Sequence, residues 1–376
     1  MNKSDLSRDH YMLTGALAKK GYDWWWHNFT AYNTNTGEEK SFFIEYYVCN
    51  PALGWEEAIL GQLPKNRTRY QRPSYAMVKV GTWGRDARQV NNYYPIKEFV
   101  STPYILNIRI GACTLTETRI YGSCALTEEE AEKHPEYMSD AGSMSWDITI
   151  NKKIAYNVGY GASKLFRDLR AFEMFWHAEG MKTEYSGKII WEGEVYKVIP
   201  EKSYGYADKN WGSDFTSPWL WINSSNLKSL ITGKQLNNSA IELGGGRPRI
   251  FGRPLDRKLL GGLYYQGKMY DYNFARFWTG AKIDFQFSEG RSLNTWRVRA
   301  VNANSRMELL LKCPKQEMIL INYEAPNGKK LHNRLWNGGT GYGRIKLYRK
   351  TRKGMKLVDY IEVKNAGCEY GEYDQN

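Results

Sequence analysis

Most of this chain consists of short segments in which large apolar residues alternate with polar ones, separated by Gly, Asn and Pro. This period of two predicts β-strands, and long stretches with the helical period of 3.6 residues are almost absent. The clearest example is a β-hairpin, predicted from residues 22–32 and 41–48 on either side of the turn 33–37. Further strands are predicted at residues 75–80, 104–110, 118–121, 144–150 and 154–158. The pattern therefore predicts an antiparallel all-β protein of the barrel or sandwich type.

Two stretches depart from the strand pattern. Residues 4–20 begin with a candidate N-cap at Ser4 or Asp5, carry a loose apolar face and stop at Gly21, which predicts an N-terminal helical segment within residues 1–20. Residues 127–133 are strongly acidic and predict a single surface helix of about two turns.

A weak internal repeat bears on the number of domains. Residues 24–28 and 219–223 share the pattern Trp-x-Trp-x-Asn, and each segment closely follows a glycine. The two copies are offset by about half of the 376 residues, and a chain of this length can bury two separate cores. We therefore interpret the chain as two β-barrels in tandem, the first over residues 21–199 and the second over residues 200–376.

The chain is strongly basic, with a formal net charge of +13 from 53 basic and 40 acidic side chains. The basic run 346–353 alternates toward a predicted hairpin turn at Gly354, and the run 247–258 is a proline-rich loop. Neither run matches a nucleic-acid-binding module, so we expect no nucleic-acid partner. Peripheral contact with an anionic membrane surface stays open.

The five cysteines are scattered, and their spacing predicts neither a metal site nor a disulfide framework. The N-terminus lacks an apolar signal segment, and no run of about 18 apolar residues occurs that could span a bilayer. We therefore expect a cytoplasmic protein. The sequence leaves its oligomeric state open.

The candidate chemistry is concentrated in residues 204–212. An acid, a lysine, an amide and an indole occupy positions 208–211 between two glycines, and residues 219–222 follow as an apolar strand. The glycines let the backbone turn sharply, and this arrangement predicts a polar cluster at the mouth of an apolar space with aromatic walls. The alternative is a turn that only leads into a core strand.

These segments resemble the tocopherol cyclase family. The resemblance is carried, in order and spacing, by residues 172–178, 187–196 and 206–212 together with 219–221. It is supported by Asn-Pro-Ala at residues 50–52 and by the closing segment 363–371. The resemblance covers nearly the whole chain, and its most specific part is Lys-Asn-Trp-Gly at residues 209–212.

The resemblance implies two lipocalin-like β-barrels, similar to those of carotenoid hydratases and lipocalin-like Diels-Alderases. It also implies an enzyme that binds an apolar isoprenoid or polycyclic molecule and cyclises, hydrates or isomerises it without a metal or an organic cofactor. Plant cyclases carry Glu where this chain has Asp208, so the carboxyl group is kept on a shorter arm.

Such a reaction needs a proton for a carbon–carbon double bond and protection of the resulting cation from water. A carboxylic acid in an apolar pocket has a raised pKa and can keep its proton near neutral pH, which makes Asp208 the candidate general acid. Aromatic faces can stabilise a cation. The residues predicted to bind the substrate are Trp26, His27, Trp176, Tyr206, Lys209, Asn210, Trp211, Trp219 and Trp221.

His177 is the second catalytic candidate, because in hydratase-like relatives a histidine upstream of the acid pairs with it. It would supply protons to Asp208 or hold a substrate hydroxyl. The competing interpretation is a structural histidine that bonds to a neighbouring strand. Lys209 would lower the pKa of Asp208 if the two touched, but adjacent residues of an extended segment point to opposite faces.

Two glycine-rich segments, 244–246 and 338–343, lack a following helix and are therefore interpreted as a loop and a turn or bulge rather than as phosphate-binding sites. Two classes of function remain. The first is the enzyme described above. The second is a binding or carrier protein that holds a lipophilic or aromatic ligand, or a glycan, on its Trp- and Tyr-rich walls.

Overall fold

The computed structural model describes residues 8–156, 169, 172–254, 256, 258–274, 277–321, 323–328 and 335–372. Within these residues the protein is almost entirely β, as predicted, and its strands form two large antiparallel sheets in tandem. The hairpin predicted from residues 22–48 is formed by the first two strands, and the predicted turn at Gly354 joins the last two.

Twelve strands form the first sheet, in the order β4-β3-β2-β1-β11-β10-β9-β8-β7-β6-β5, with β12 pairing with both β1 and β10. They are β1 (Tyr22–Asn33), β2 (Glu39–Cys49), β3 (Tyr75–Trp83), β4 (Arg88–Tyr94), β5 (Phe99–Ser101), β6 (Asn107–Ile110), β7 (Cys113–Thr116), β8 (Arg119–Leu126), β9 (Gly142–Tyr156), β10 (Met174–Trp191), β11 (Glu194–Val198) and β12 (Gly205–Gly212). The sheet curls back on itself, so that the edge strand β4 meets β8, which is distant from it in the strand order. At this contact the Asn92 side chain of β4 forms two hydrogen bonds of 3.1 Å with the Ala125 backbone of β8.

The second sheet follows the order β19-β18-β15-β13-β25-β24-β22-β21-β20, with β14 on β25 and β23 on β24, while β16 and β17 form a separate ribbon. The strands are β13 (Trp219–Ser224), β14 (Asn226–Ser229), β15 (Ala240–Gly246), β16 (Arg249–Ile250), β17 (Arg253–Pro254), β18 (Lys258–Tyr265), β19 (Lys268–Asp271), β20 (Lys282–Glu289), β21 (Leu293–Val301), β22 (Ser305–Pro314), β23 (Ile319–Ile321), β24 (Leu335–Thr351) and β25 (Gly354–Gly371).

Two short α-helices occur in the described residues, α1 (Pro64–Thr68) and α2 (Glu128–Lys133). The second is the predicted acidic helix, and Thr127 caps it in a capping box with Glu130. Single 3-10 turns lie at Gly15–Ala18, Ile96–Glu98, Pro135–Tyr137, Pro200–Lys202, Phe277–Thr279 and Lys315–Glu317. No described helix is both long and apolar enough to cross a bilayer.

The N-terminal helix predicted over residues 4–20 does not form in its described part, residues 8–20, which contains only the 3-10 turn Gly15–Ala18. Residues 1–7 lie outside the described residues, as do positions 157 and 158 of the strand predicted at 154–158. Gly15 has a φ of 57°, which a right-handed helix does not accommodate. The Trp25 indole donates a hydrogen bond of 2.7 Å to the backbone oxygen of buried Asp9, which holds this segment against the first sheet. Tertiary contacts therefore override the local helical pattern.

The domain boundary lies later than residue 200. Strand β12 belongs by sequence to the predicted second barrel, but it pairs with β1 from Tyr22↔Gly212 to Asn28↔Tyr206 and also with β10. The first sheet therefore extends to Gly212, and the second begins at Trp219. Residues 205–212 form a buried strand, not the turn that their glycines predict.

The two sheets create three buried layers. One apolar cluster fills the interior of the first barrel and another fills the interior of the second. Between them lies the inter-barrel layer, in which the outer faces of the two barrels meet and more than half of the buried apolar side chains are aromatic. Its aromatic members are Tyr22, Trp26, Phe43, Tyr47, Tyr75, Trp83, Tyr156, Trp176, Tyr206, Phe215, Trp219, Trp221 and Tyr323.

Strands at this junction are buried on both faces, which explains their nearly continuous apolar sequences. In β2, Phe42 and Ile44 point into the first barrel, whereas Phe43 and Tyr47 point into the inter-barrel layer. The two Trp-x-Trp-x-Asn segments lie in β1 and β13, and Trp26, Trp219 and Trp221 all contribute to the same layer.

Asn50 provides a test of how this junction is held together. Its buried amide accepts from the Gly21 backbone at 2.9 Å and donates to the carbonyls of Pro73 at 2.7 Å and Pro326 at 2.8 Å. Asn50→Ala leaves these backbone groups without their partner and should lower the free energy of unfolding by about 3 kcal/mol in urea titrations. Asn365→Ala is the matched control, because Asn365 has a similar left-handed φ but is only half-buried. Equal losses in the two variants would contradict the prediction.

Candidate active site

Strand β12 places its side chains alternately in two separate environments. Tyr206, Asp208 and Asn210 face the inter-barrel layer, where their contacts are Trp176, Glu242 and Tyr22. Lys209 and Trp211 face the interior of the first barrel. The polar residues predicted as one cluster at positions 208–211 are therefore divided between two buried sites.

Asp208 is a buried carboxyl group held by two donors on one oxygen. The Trp176 indole N–H donates to Oδ2 at 2.7 Å, and the Tyr206 hydroxyl lies 3.0 Å from the same atom. The other oxygen, Oδ1, is also buried and has no hydrogen-bond partner among the described residues. Oδ1 is thus the Asp208 oxygen that no described donor occupies.

Burial raises the pKa of Asp208 from an ordinary value of 3.8 to about 8. The hydrogen bonds from Trp176 and Tyr206 act in the opposite direction, because they stabilise the carboxylate, but desolvation outweighs them. At neutral pH, Asp208 is therefore mostly a protonated carboxylic acid.

A second buried carboxyl group, Glu242 of β15, lies beside Asp208. Its Oε1 is 3.2 Å from the Tyr206 hydroxyl and accepts the Trp221 indole N–H at 3.1 Å, while its Oε2 accepts from the Asn223 amide at 2.8 Å. Burial raises the pKa of Glu242 well above its ordinary value. Tyr206 thus contacts two buried carboxyl groups with a single hydroxyl.

A third carboxyl group, Glu369 of β25, completes the acidic side of the layer. It accepts hydrogen bonds from the Trp219 indole at 2.6 Å and from the Asn337 amide at 3.0 Å. The side-chain oxygen of Asn337 in turn accepts a hydrogen bond of 2.9 Å from the Trp83 indole. Burial raises the pKa of Glu369 to about 7. Each of the three carboxyl groups therefore accepts a hydrogen bond from its own indole.

A buried ion pair lies in the same layer. Lys79 is 3.2 Å from Glu45, the Tyr323 hydroxyl donates to Glu45 at 2.9 Å, and the Lys79 ammonium lies 4.0 Å from the centre of the Tyr323 ring. Burial raises the pKa of Glu45 and lowers that of Lys79.

Three indoles lie directly against glycines of the second sheet. A Cβ atom on Gly244 would come within 2.0 Å of the Trp176 ring, one on Gly339 within 2.0 Å of Trp83, and one on Gly367 within 2.2 Å of Trp221. The segment 244–246 is part of strand β15, so its interpretation as a loop was wrong. The segment 338–343 lies in β24, where the strand pairing is shifted at two places, as expected for a bulge. Both segments receive tryptophan rings from the layer between the barrels.

The remaining predicted residues that face this layer have structural contacts. Trp26 stacks on Phe43 with ring centroids 5.0 Å apart, and its indole N–H donates to Asn28 at 3.0 Å. Asn210 accepts the Tyr22 hydroxyl at 2.6 Å. Their roles in substrate binding stay predictions.

His177 and His27 do not meet Asp208, because both face the interior of the first barrel. His177 pairs in register with Lys209, and its Nε2 lies 3.4 Å from Asp9. His27 Nδ1 is 2.8 Å from the Tyr185 hydroxyl. Burial lowers the pKa of His177 to about 3 and that of His27 to about 4, so both imidazoles are neutral. The expected pairing of His177 with Asp208 is therefore absent, since it requires both side chains on one face.

Lys209 also lies away from Asp208. It forms a buried ion pair with Asp23 and lies 3.8 Å from the centre of the Trp25 ring. Burial raises the pKa of Asp23 to about 6 and lowers that of Lys209. The expected orientation of Asp208 and Lys209 toward opposite faces is what the structure has. Trp211 packs on Phe175 at 5.5 Å.

The carboxylates of Asp9, Glu117 and Glu179 come close enough together to hold a metal ion. Lys152 already lies among them, however, with its Nζ 3.1 Å from Asp9, 2.8 Å from Glu117 and 2.5 Å from Glu179. The lysine ammonium thus takes the place that a cation would occupy.

A groove of about 950 Å³ lies on the solvent-facing side of the second sheet. Charged side chains such as Arg297, Glu308 and Lys346 line it, and none of the predicted site residues does. We do not assign the chemistry to this groove, because the buried acids with raised pKa values lie in the inter-barrel layer.

Sequence reasoning missed Glu242 and Glu369. Glu242 stands alone between Ile241 and Leu243, and Glu369 lies within the otherwise weakly polar segment 366–370. A lone acid in an apolar strand was the available signal, but the same alternation describes a strand with one solvent-exposed face.

The fold and the site together define a class: a two-barrel protein with buried, indole-bound acids between its barrels. The chain belongs to the tocopherol cyclase-like family, whose profile matches residues 34–372 and so includes both sheets. This finding confirms the resemblance seen in the sequence.

Two plant proteins show the relationship in sequence. A probable chloroplastic tocopherol cyclase of Oryza sativa subsp. japonica is 29% identical over 141 residues, covering 37% of this chain and 27% of that protein. A chloroplastic tocopherol cyclase of Zea mays is 30% identical over 104 residues, covering 27% of this chain and 20% of that protein. The matches thus span about a quarter of the length of these curated relatives.

Solved structures show similarity along most of the chain. Kievitone hydratase from Nectria haematococca aligns with a TM-score of 0.45 and 12% identity, covering 96% of this chain and 93% of that chain. The structure of CghA aligns with a TM-score of 0.46 and 10% identity, covering 95% and 90%.

The contact between Gly244 and Trp176 generates the first prediction for this site. Gly244→Ala should displace the Trp176 ring, remove its hydrogen bond to Asp208 and lower the free energy of unfolding by about 2 kcal/mol. The pKa of Asp208 should rise, because a donor to the carboxylate is lost. Urea unfolding and carboxyl ¹³C NMR measure the two effects.

Gly338→Ala is the control for this substitution. It lies in the same sheet, but the new methyl group would meet the flexible Met318 side chain at 3.1 Å and the Cys313 sulfur at 3.0 Å. If both variants gave the same Asp208 titration, the prediction would be wrong.

The raised pKa of Asp208 also predicts a pH dependence of stability. Between pH 3.8 and about 8 the folded protein holds a proton on Asp208 that the unfolded chain releases, so stability falls as pH rises through this range. Asp208→Asn removes this contribution. Relative to wild type, the variant should therefore gain stability from pH 5 to pH 8, by at most about 4 kcal/mol. Parallel stability curves in urea titrations would count against the buried acid.

Proposed function

We propose that this protein is an enzyme that protonates a carbon–carbon double bond of an apolar isoprenoid or polycyclic molecule and so catalyses its cyclisation, hydration or isomerisation. Asp208 acts as the general acid and donates its proton from Oδ1. The observation that carries the proposal is a buried carboxyl group with a pKa near 8 and an oxygen that lacks a partner among the described residues.

Proton donation leaves a carboxylate, and the site contains groups suited to stabilise it. Trp176 and Tyr206 already lie at Oδ2 and can donate to the new anion without moving. Preorganised donors of this kind are a main source of catalytic stabilisation in sites that exclude water.

The aromatic layer suits the cation that forms on the substrate. Ring faces attract positive charge, and Trp176, Trp219 and Tyr206 lie among the rings that surround Asp208. Burial between two sheets also limits the access of bulk water to the cation. When a substrate hydroxyl or a single water attacks the cation, or when a neighbouring carbon loses a proton in an isomerisation, the released proton returns to the Asp208 carboxylate and regenerates the acid. Proton transfer and ring closure need no electron carrier or Lewis acid, so the proposed reaction involves neither a metal nor an organic cofactor.

A second candidate function is a carrier for a lipophilic or aromatic ligand, or for a glycan. The aromatic composition of the inter-barrel layer supports it, because such surfaces bind apolar ligands without any chemistry. In that case Asp208 would serve only the packing of the layer.

Asp208→Asn distinguishes the two functions. The amide keeps the shape of the side chain but cannot supply the proton, so turnover of an alkene-bearing substrate should fall by about 10²–10⁴-fold. Binding of the same compound, followed by quenching of tryptophan fluorescence, should change little. Prenylated quinols, carotenoids, steroids and flavonoids are suitable compounds for the first screen.

The control is Asp147→Asn, which changes an exposed carboxylate paired with Arg119 at 2.7 Å. It should retain wild-type turnover and binding. Unchanged turnover in Asp208→Asn would reject Asp208 as the acid, and binding without turnover in the wild type would favour the carrier.

A further inference from the structure

We propose that Glu242 is a positioning residue for Asp208: it stays protonated, donates its proton to the Tyr206 oxygen and thereby fixes the Tyr206 hydroxyl as a donor to Asp208. Its catalytic meaning rests on the proposed function, in which Asp208 is the acid. The arrangement itself can be tested without any substrate.

The argument begins with the single hydrogen of the Tyr206 hydroxyl. This oxygen lies 3.0 Å from Asp208 Oδ2 and 3.2 Å from Glu242 Oε1. A hydroxyl group donates one hydrogen bond, so it cannot donate to both carboxyl groups at once. If both were ionised, one carboxylate oxygen would face the phenol oxygen with no hydrogen between them. Both contacts become hydrogen bonds only when one of the acids is protonated and donates to Tyr206.

The donors around each acid indicate which one carries this proton. Asp208 Oδ2 accepts a hydrogen bond from Trp176 and lies next to the Tyr206 hydroxyl. Two donors are thus already positioned to stabilise a negative charge on this oxygen. The proton of Asp208 can occupy Oδ1, which is free of partners in the described residues. Asp208 can therefore lose and regain a proton at Oδ1 while Tyr206 keeps donating to Oδ2.

Glu242 accepts from the Trp221 indole as Asp208 accepts from the Trp176 indole, but the second donor to Glu242 is shared with other acceptors. The Asn223 amide has two hydrogens but lies within 3.0 Å of three acceptors: the carbonyls of Met181 and Ile241, and Glu242 Oε2 at 2.8 Å. Two backbone carbonyls thus compete with Glu242 for the same donor. Burial raises the pKa of both carboxyl groups, so the assignment of this proton rests on the contacts and not on the two pKa shifts.

The chain of hydrogen bonds from Glu242 through Tyr206 to Asp208 would set the pKa of Asp208. A hydrogen bond from Tyr206 to Oδ2 stabilises the Asp208 carboxylate and so keeps its pKa from rising further under desolvation. An acid that holds its proton too tightly protonates an alkene poorly, and one near neutral pH combines availability with strength. Glu242 would act on the substrate only through Tyr206 and Asp208.

Glu242→Gln separates this arrangement from its rival by the sign of one shift. Trp221 and Asn223 both donate to Glu242, but the Asn223 amide can turn its two hydrogens to the carbonyls of Met181 and Ile241, whereas the Trp221 indole has no second acceptor among its described hydrogen bonds. The glutamine therefore places its carbonyl oxygen toward Trp221 and Tyr206. Tyr206 then has two acceptors for one hydrogen, and it can donate to the ionised Asp208 only by leaving the glutamine oxygen without a hydrogen. This cost disfavours the ionised form of Asp208. The titration midpoint of Asp208 should rise by about one pH unit, a tenfold fall in its acid dissociation constant.

The measurement is carboxyl ¹³C NMR on the full chain labelled at aspartate, with the Asp208 signal assigned through Asp208→Asn. Tyr206→Phe should raise the midpoint by a similar amount, and adding Glu242→Gln to Tyr206→Phe should give no further shift. Glu369→Gln is the matched control of opposite sign, because the ionised Glu369 raises the pKa of Asp208 and its removal should lower the midpoint.

A lower midpoint in Glu242→Gln would overturn the proposal, because it would mean that Glu242 is ionised and that the substitution removes a negative charge. An unchanged midpoint would overturn it as well, since a merely structural side chain does not affect the titration. These outcomes are independent of turnover. If Asp208→Asn kept full activity while Glu242→Gln raised the midpoint, the proposed function would fail and the positioning role would stand.

Discussion

Desolvation of the Asp208 carboxyl group between the two sheets is the constraint on which the site depends. Strand β12 belongs to the first sheet, and on its outer face Tyr206 contacts Trp221 of β13 and Glu242 of β15 in the second sheet. The Asp208 side chain is therefore buried, with only 6% of its surface exposed. Neither buried lysine near this layer pairs with Asp208. Lys209 points to the other face and forms an ion pair with Asp23, and Lys79 forms one with Glu45. A buried acid with hydrogen-bond donors but no counter-ion keeps its proton.

The closeness of the two barrels follows from small residues in the second sheet. Where Gly244, Gly339 and Gly367 lie, an indole ring from the layer rests directly on the strand backbone. A side chain at Gly244 or Gly339 would push Trp176 or Trp83 of the first sheet away from the second sheet, so these two contacts set the distance between the sheets. Gly367 instead receives Trp221 from the neighbouring strand of its own sheet. The contacts at Gly244 and Gly367 thereby place the Trp176 and Trp221 indoles at Asp208 and Glu242.

Local patterns predicted the parts of the fold that depend on local chain geometry. The first hairpin, the acidic helix and the turn at Gly354 follow from alternation, a capping residue and glycine, all of which act over a few residues. The boundary at residue 200 failed because β12 is assigned to its sheet by pairing with β1, almost two hundred residues earlier in the chain. Asp208 was a candidate because an acid stands among aromatic residues in a segment that resembles a family motif. Glu242 was missed because nothing within β15 shows that its outer face is covered by another barrel.

The exclusion of His177 from the site shows why a carboxyl group suits this layer and an imidazole does not. Burial disfavours the charged form of any group. For a carboxylic acid the neutral form carries the proton, so burial keeps Asp208 protonated at neutral pH. For an imidazole the neutral form is the one that has lost the extra proton, and His27 and His177, buried to the same degree, are poor acids for that reason. In the proposed reaction, an apolar layer therefore favours a carboxylic acid over an imidazole as the proton donor. In the proposed arrangement a neighbouring neutral acid, Glu242, and not a histidine, holds that donor in place.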